Sequence, residues 1–301
     1  MTTERKVAYV FPGQGSQWVG MGQDLYASLP KAKAVFEEAD SVLGFALSRL
    51  CFEGPEDTLR QTINAQPAIM TVSIAYLRAS PQFESMPKPT FVAGHSLGEY
   101  TALVAANTLS FADAIRLARE RGRLMQEAGN HTSGGMLAVI GLDEAAVESV
   151  CQDAGIQIAN INCPGQIAIS GPSQVLDKAT ELAKAKGAQR VIPLKVSGAF
   201  HSRLMQLAAD GMAEAISKPT FRDATVPIVA NTTAQPLTSS TELKAELLNQ
   251  LCHCVQWQKS VDLMVRKGVS EFVEIGPGQV LTGLIKRISK DVVATSTDTK
   301  R

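Results

Sequence analysis

The chain has 301 residues, of which 45% are hydrophobic and 19% charged, so it is long enough and apolar enough to bury a substantial core. Its 29 basic and 29 acidic residues balance to zero net charge, which argues against nucleic-acid binding. It shows no secretory or transit segment, no apolar run long enough to span a bilayer, and an odd number of cysteines. We therefore expect a reduced, cytoplasmic protein that binds neither nucleic acid nor membrane.

Strand-like and helix-like segments alternate along the first part of the chain. KVAYVFP (6–12) predicts a buried strand that enters a glycine-rich loop, with a helix from about Gln17. TFVAGHS (90–96) predicts a strand entering a turn, LGEYTALVAANTL (97–109) a helix, and 111–128 a longer helix. This alternation predicts an α/β fold with a mainly parallel sheet.

The middle of the chain has a different order of elements. Over 134–197 the pattern predicts strand, helix, strand, strand, helix, strand, which is the ferredoxin-like (βαββαβ) order. We therefore predict a small ferredoxin-like domain at 134–197, inserted into a large α/β-hydrolase-like catalytic domain formed by 1–133 and 198–301. The predicted elements after the insertion are a strand (227–233), interrupted helices (241–268), and a strand, turn and helix (270–288).

A G-x-S-x-G pattern, Gly94 to Gly98, lies where a predicted strand meets a predicted helix. This is the pattern of a nucleophile elbow, in which the turn around the serine is too crowded for a Cβ two residues before or after it. The N–H groups at the start of the helix favour an oxyanion, and that of Leu97 is the natural first donor. A glycine–serine turn without a catalytic role has the same pattern, but the flanking strand and helix favour Ser96 as a nucleophile.

A nucleophilic serine needs a general base, most often histidine, and the chain has four histidines. His95 adjoins Ser96 and cannot readily fold back onto its hydroxyl. His131 lies in a polar loop and His253 in a helical stretch. Because His201 lies in an apolar, glycine-containing loop directly after the small domain, it is the best candidate base, although a hydrogen-bonded loop histidine is the alternative.

Cys252, His253 and Cys254 resemble half of a zinc site. Structural zinc usually needs two separated pairs of ligands, and the sequence offers no second pair. We therefore expect no metal.

The predicted helix 111–128 carries one arginine on its apolar face. Arg121 shares the 3-4-7 spacing of the inward residues, whereas the other three arginines of the helix do not. A guanidinium that faces a core needs an anion, which can be a buried carboxylate or an acidic substrate gripped by both nitrogens. The inward residues are Phe111, Ala114, Ala118 and Met125.

The glycine-rich segment FPGQGSQWVGMG (11–22) matches neither common nucleotide-binding template. Trp18 stands where the third glycine of the dinucleotide fingerprint belongs, and no Gly-Lys-Ser/Thr follows. A loop between a strand and a helix can instead present a backbone N–H, here that of Gln14, as a second oxyanion donor.

Taken together, these segments resemble the malonyl-CoA:acyl carrier protein transacylases of bacterial-type fatty acid synthesis and the acyltransferase domains of polyketide synthases. The resemblance runs essentially end to end, and its motifs in this order are far more specific than the elbow alone. They are FPGQGSQ (11–17), QPAI (66–69), GHSLGEY (94–100), RGRLMQEA (121–128), NCPGQIAISG (162–171), GAFHS (198–202), VQW (255–257) and EIGPGQVLTGL (274–284).

The resemblance implies a covalent mechanism without a triad aspartate. Ser96 is expected to carry the acyl group and His201 to act as its base. A backbone carbonyl near VQW, at Gln256, is expected to orient the imidazole. Gln14 and Leu97 are expected to supply the oxyanion N–H groups.

The resemblance also implies the substrates. Arg121 is expected to pair with the malonyl carboxylate, and Phe200 to crowd a branched extender such as methylmalonyl. The acceptor is the phosphopantetheine thiol of acyl carrier protein, an acidic partner, and no cofactor is expected beyond the coenzyme A thioester. We expect a monomer by default. Candidate basic docking residues are Arg190, Lys195, Arg203, Lys286 and Arg287.

Three alternatives remain open at this point. A serine esterase or thioesterase would use water as acceptor, but it predicts a late histidine preceded by an acidic partner. A carrier-binding subunit without catalysis would not need Ser96, His201 and Arg121. A discrete transacylase serving a polyketide synthase differs only in its partner.

Overall fold

The computed structural model describes residues 6–298, without the side chains of Glu84 and Ser85. Within this range the chain forms two sheets that are surrounded by helices. The strands are β1 (Lys6–Phe11), β2 (Phe91–Gly94), β3 (Gly134–Ile140), β4 (Gln157–Cys163), β5 (Gln166–Pro172), β6 (Arg190–Pro193), β7 (Ile228–Val229), β8 (Pro236–Leu237), β9 (Val269–Glu274) and β10 (Val293–Ser296).

In the described range all helices lie between β1 and β10. Two short 3₁₀ helices, Ser173–Val175 and Arg203–Met205, precede α10 and α11. The α-helices are α1 (Gln23–Ser28), α2 (Pro30–Leu43), α3 (Leu47–Glu53), α4 (Glu56–Arg60), α5 (Thr62–Ala79), α6 (Gln82–Ser85), α7 (Gly98–Ala105), α8 (Phe111–His131), α9 (Glu144–Ala154), α10 (Leu176–Ala185), α11 (Gln206–Ser217), α12 (Ser240–Cys252), α13 (Trp257–Arg266) and α14 (Val280–Ile288). None of the helices in the described range is long and apolar enough to cross a membrane.

The larger sheet has the strand order β10-β9-β1-β2-β7-β8. Its neighbours pair in parallel except β8, which is antiparallel to β7. Five of the six residues of β1 are buried, because helices cover both faces of a parallel sheet. The predicted α/β fold with a mainly parallel sheet is confirmed. Since parallel strands end at one edge, the turns after β1 and β2 meet there.

The smaller sheet is antiparallel, with the strand order β4-β5-β3-β6. Helices α9 and α10 pack on one face of it, and the apolar residues of that face form a cluster of their own. Met136, Ala159 and Ala168, on the other face, belong to the main apolar cluster of the larger part.

Several contacts join the smaller sheet to the rest of the described chain. Asn160 forms a parallel bridge with Val255, the Arg287 guanidinium donates to Gln166 and to the carbonyl of Pro164, and the Asn162 Oδ1 lies 2.8 Å from the His95 Nε2 beside the elbow. The smaller sheet is therefore attached to the site-bearing edge of the larger one.

The first helix begins later than the sequence predicts. The pattern places a helix from about Gln17, whereas α1 begins at Gln23. Gly20 and Gly22 adopt φ values of 104° and 76°, which end any helical continuation before them. Residues 12–22 are therefore a loop, and it closes over the site described next.

Candidate active site

The predicted elbow is present, and its geometry explains both glycines. A Cβ on Gly94 would lie 1.8 Å from the carbonyl carbon of Gly98, and a Cβ on Gly98 would lie 2.1 Å from the Phe11 carbonyl oxygen. Ser96, between them, has a φ of 53°, in the left-handed region that non-glycine residues rarely adopt. The turn therefore lifts Ser96 out of the strand end, as a nucleophile elbow requires.

Asn231 fastens this turn from the neighbouring strand β7. Its Oδ1 accepts from the Ser96 N–H at 2.7 Å, and its Nδ2 donates to the Gly94 carbonyl at 2.7 Å. Sequence reasoning missed Asn231, because the contact joins segments 135 residues apart. The asparagine satisfies backbone groups that the sharp turn leaves without partners.

Ser96 and His201 form the predicted pair. The Ser96 Oγ and the His201 Nε2 are 2.8 Å apart. The other ring nitrogen, Nδ1, lies 2.7 Å from the carbonyl oxygen of Gln250. Because a carbonyl can only accept, Nδ1 carries the proton and Nε2 is free to take one from the Ser96 hydroxyl.

The assignment of the orienting carbonyl to Gln256 is wrong. The Gln256 carbonyl accepts from the Ser260 N–H at 2.9 Å, as the first hydrogen bond of α13, and its N–H donates to Asn231. The carbonyl that reaches His201 belongs to Gln250, in the last turn of α12. The last four carbonyls of a helix have no partner within the helix, which leaves this one available.

Burial and the Arg121 charge lower the pKa of His201 to about 3. Its side chain is 4% exposed. The imidazole is therefore neutral at physiological pH and can act as a base.

Arg121 is buried on the inward face of α8, as its spacing predicts. Its Nη2 donates to the Ser96 Oγ at 3.1 Å and to the Gln250 Oε1 at 2.6 Å, and its Nη1 donates to the Gln66 Oε1 at 2.8 Å. Its Nε has no partner, and no carboxylate of the described residues lies within 4.0 Å of the guanidinium. The alternative of a directly paired buried carboxylate is therefore contradicted, and the cation faces the nucleophile.

Of the two predicted oxyanion donors, one adjoins Ser96 and the other lines the same cavity. Leu97 precedes the first residue of α7, and Gln14 lines the cavity that contains the serine. Between residues 6 and 298, neither backbone N–H donates to a protein acceptor. Both N–H groups are therefore available to a negatively charged oxygen.

The site opens into a cavity of about 430 Å³ between the two sheets. Ser96 lines it from the elbow after β2, Arg121 from α8, and His201 from the segment between β6 and α11, while Met136 and Asn160 line it from the smaller sheet. Phe200, which is 5% exposed, forms part of the wall beside His201. The cavity is large enough for an extended chain and reaches the surface.

The remaining histidines lie elsewhere. His95 Nε2 lies 2.8 Å from the Asn162 Oδ1, so this ring faces away from the serine hydroxyl. His131 and His253 are exposed. In the part of the chain that the structure describes, no group of three or more His, Cys, Asp or Glu residues could hold a metal ion.

Comparison with known proteins agrees with this geometry. The family described as acyl transferase domain matches residues 8–299. The malonyl CoA-acyl carrier protein transacylase of Bacillus subtilis is 47% identical over 290 residues, covering 95% of this chain and 91% of the relative. That of Escherichia coli K12 is 44% identical over 293 residues, covering 96% and 94%.

Solved structures match along the whole chain. The acyl-carrier-protein-S-malonyltransferase of Bartonella henselae has a TM-score of 0.94 and 44% identity, covering 98% of this chain and 96% of its own. A malonyl-transacylase solved in complex with its type II PKS acyl-carrier protein has a TM-score of 0.93 and 40% identity, covering 97% and 96%. The fold and the relatives define an acyltransferase. The chain belongs to the acyl transferase domain family.

Proposed function

We propose that this acyltransferase moves a malonyl group from malonyl-CoA to the phosphopantetheine thiol of acyl carrier protein, through a malonyl ester on Ser96. The observation that carries the proposal is the position of Arg121. A buried guanidinium without a contacting carboxylate lies 3.1 Å from the serine hydroxyl. Such a cation selects an acyl group that brings its own carboxylate.

In the first half-reaction Ser96 attacks the thioester carbonyl while His201 takes the hydroxyl proton. The N–H groups of Gln14 and Leu97 stabilise the oxyanion, and losing one such donor typically costs ~100- to 1000-fold in rate. The imidazolium then protonates the departing thiolate of coenzyme A. The Gln250 carbonyl holds the ring in one tautomer throughout.

In the second half-reaction the carrier's thiol gives its proton to His201 and attacks the ester, and the steps reverse in ping-pong order. No cofactor is needed, because the acyl donor enters as a coenzyme A thioester and the carrier brings its own phosphopantetheine thiol. Phe200 forms part of the cavity wall beside His201, where we propose that it disfavours a branched acyl group.

We propose that 134–197 form a ferredoxin-like domain inserted into a catalytic domain of 1–133 and 198–301. In support, the four strands of this segment lie in the sheet in the order second, third, first, fourth. The face that α9 and α10 cover has an apolar cluster of its own. Residues 1–5 and 299–301 lie outside the described residues. The insertion supplies one wall of the cavity and thereby restricts the access of water to the ester.

We propose that the acidic carrier docks at the cavity mouth. Lys195 lines the cavity directly after β6, and Arg190 is exposed at the start of that strand. Arg287 is a weaker candidate, because it already donates to Gln166 and Pro164. The family and the free cysteines fit a cytoplasmic enzyme, which we propose acts as a monomer.

The deciding experiment is intact-protein mass after brief incubation with malonyl-CoA, or with acetyl-CoA, in the absence of an acceptor. Wild type should gain a malonyl group, Ser96→Ala should gain none, and acetyl-CoA should give little adduct. Intact malonyl-CoA without an adduct would contradict the proposal. Consumed malonyl-CoA without an adduct would indicate a hydrolase. If the adduct forms, the pathway is identified by comparing transfer of the malonyl group to fatty acid and polyketide carrier proteins.

A further inference from the structure

The mechanism leaves one buried carboxylate near the site unused. Glu99 lies in the first turn of α7 and is 1% exposed. Its Oε1 accepts from the Asn231 N–H at 2.9 Å and from the Asn231 Nδ2 at 3.2 Å, and its Oε2 accepts from the Gln250 Nε2 at 2.6 Å. Burial and the charge of Glu246 raise the pKa of Glu99 well above its ordinary value. The Asn231 and Gln250 groups that contact the carboxylate all donate hydrogen bonds to it, which favours its ionised form.

The side chain of Gln250 connects this carboxylate to the acyl-selecting arginine. Its Nε2 donates to Glu99 and, at 2.9 Å, to the Ser96 carbonyl, while its Oε1 accepts from the Arg121 Nη2 at 2.6 Å. Turning the amide over would place its NH₂ against the guanidinium and its oxygen against two acceptors. The carboxylate thus fixes which end of the amide faces Arg121.

We propose that Glu99 is a positioning residue for acyl selection: acting through the Gln250 amide, it holds the Arg121 guanidinium in the orientation that receives the malonyl carboxylate. Its charge also stabilises the cation from a distance. Because the amide stands between them, Glu99 does not occupy the nitrogens that the substrate needs. This inference rests on the proposed malonyl transfer.

Glu99 also has a structural contact that must be separated from this role. Through Asn231 it supports the backbone around Ser96, which any acyl donor needs. If Glu99 were purely structural, its replacement would therefore lower the rate of Ser96 acylation from all acyl donors equally. A positioning Glu99 changes the preference for malonyl over acetyl.

The test is Glu99→Gln. The new side chain keeps an oxygen for the Asn231 donors but turns an NH₂ toward the Gln250 NH₂, which drives the Gln250 amide to reverse. We expect kcat/KM for malonyl-CoA in Ser96 acylation to fall by about tenfold, as expected for one charge-assisted hydrogen bond, relative to that for acetyl-CoA. Adduct formation followed by intact-protein mass gives both rates.

Glu246→Gln is the matched control. Glu246 is also buried, at 4% exposure, and its Oε1 accepts from the Thr232 N–H at 2.8 Å. Among the described residues its carboxylate accepts from Thr232 and makes no hydrogen bond to Gln250 or Arg121, although its charge raises the pKa of Glu99. Its malonyl-to-acetyl ratio should match wild type. An equal loss for both donors in Glu99→Gln, an unchanged ratio, or the same shift in Glu246→Gln would each overturn the proposal.

A second variant covers the case in which Glu99→Gln does not fold. Gln250→Met removes the amide but keeps the backbone carbonyl that orients His201. Its malonyl-to-acetyl ratio should fall as well, and the double variant should be no worse than Gln250→Met alone. An unchanged ratio refutes the role of Glu99 only, whereas wild type without a malonyl adduct refutes the proposed function itself.

Discussion

Arg121 shows how a single side chain can define a substrate. It shares its helix with Arg116, Arg119 and Arg123, yet it alone is fully buried and faces the nucleophile. Arg116 and Arg123 pair with carboxylates of their own helix, whereas Arg119 donates to the Ile63 carbonyl and to the Asn64 Oδ1. A buried cation that no carboxylate contacts is costly unless a ligand supplies the anion.

Arg121→Ala should therefore change the choice of acyl group. We expect malonylation of Ser96 to fall by ~10- to 100-fold, the worth of a charge-assisted hydrogen bond, while acetylation rises because no desolvated cation is left unpaired. Competition between malonyl-CoA and acetyl-CoA, read by intact mass, measures the ratio.

Arg116→Ala, on the exposed side of the same helix, is the control for that experiment. It should keep the wild-type ratio. If Arg121→Ala also kept the wild-type preference for malonyl, the assignment of the carboxylate to Arg121 would be wrong.

The environment of His201 predicts an unusual pH profile. Burial and Arg121 lower its pKa to about 3, so the neutral ring persists far below the ordinary histidine pKa of ~6.5. We expect kcat/KM for Ser96 acylation to stay level from pH 8 to pH 5, since the base remains unprotonated there. Rapid-quench acylation at each pH tests this, and a half-maximal loss near pH 6.5 would contradict it.

The residues that could be predicted from the sequence have local signals. Ser96 lies between two obligatory glycines, and Arg121 lies on the apolar face given by the spacing of an amphipathic helix. Of the four histidines, His201 is the one whose loop suits a catalytic base. Gln250 and Asn231 have no such signal, because each acts through a contact between distant segments. A backbone carbonyl is carried by every residue, so only the three-dimensional position of a helix end identifies it.

At the scale of elements, strands and helices with strong patterns were predicted to within a few residues, as for α8 and β3 to β5. The start of α1 was misplaced, because the glycines before it permit a loop that the pattern does not reveal. Helices α2 to α6, which follow α1 and precede β2, were not assigned. α5 is buried along most of its length, so it has no polar face to give a helical period.

The crowded junction of β2, the elbow and α7 predicts the effect of an alanine at Gly98. Gly98→Ala should abolish acylation and destabilise the fold, because its Cβ would lie 2.1 Å from the Phe11 carbonyl oxygen. Gly283→Ala in α14 is the matched control, since a Cβ there meets nothing within 4 Å.

We expect Gly283→Ala to be neutral or to stabilise the protein by ~0.5–1 kcal/mol, the helix preference for alanine over glycine. Urea unfolding compares the two variants. Equal stability would show that the elbow tolerates a Cβ and that the crowding argument fails.

At the scale of the whole molecule, the reacting side chains come from the elbow after β2, from α8 and from the segment between β6 and α11, while the smaller sheet supplies the opposite wall. Met136 and Asn160, from β3 and β4, face the cavity together with Leu194, which follows β6. Neither sheet alone encloses the ester. If the acyl group is held on Ser96 as proposed, transfer rather than hydrolysis depends on the attachment of the smaller sheet through contacts such as those of Val255 and Arg287.

Docking of an acidic carrier should depend on charge at the mouth of this cavity. Arg190→Glu should raise KM for acyl carrier protein, while acylation from malonyl-pantetheine, which lacks the nucleotide phosphates, stays unchanged. Steady-state transfer at low salt measures the effect.

Lys33→Glu, on α2 and outside the cavity lining, is the control and should leave KM as in wild type. An equal rise in both variants would indicate a general charge effect rather than docking at β6.

The carbonyl that holds His201 has a thermodynamic consequence. Where a carboxylate would stabilise an imidazolium with a full negative charge, the Gln250 carbonyl offers only a dipole, so the protonated ring remains a strong acid. Such a ring returns its proton at once to a thiolate, whose conjugate acid has a pKa of only ~8.5. The forward and reverse steps are then equally accessible, and the enzyme equilibrates its acyl group between two thiols. The direction of flow is set by whatever consumes the acylated carrier.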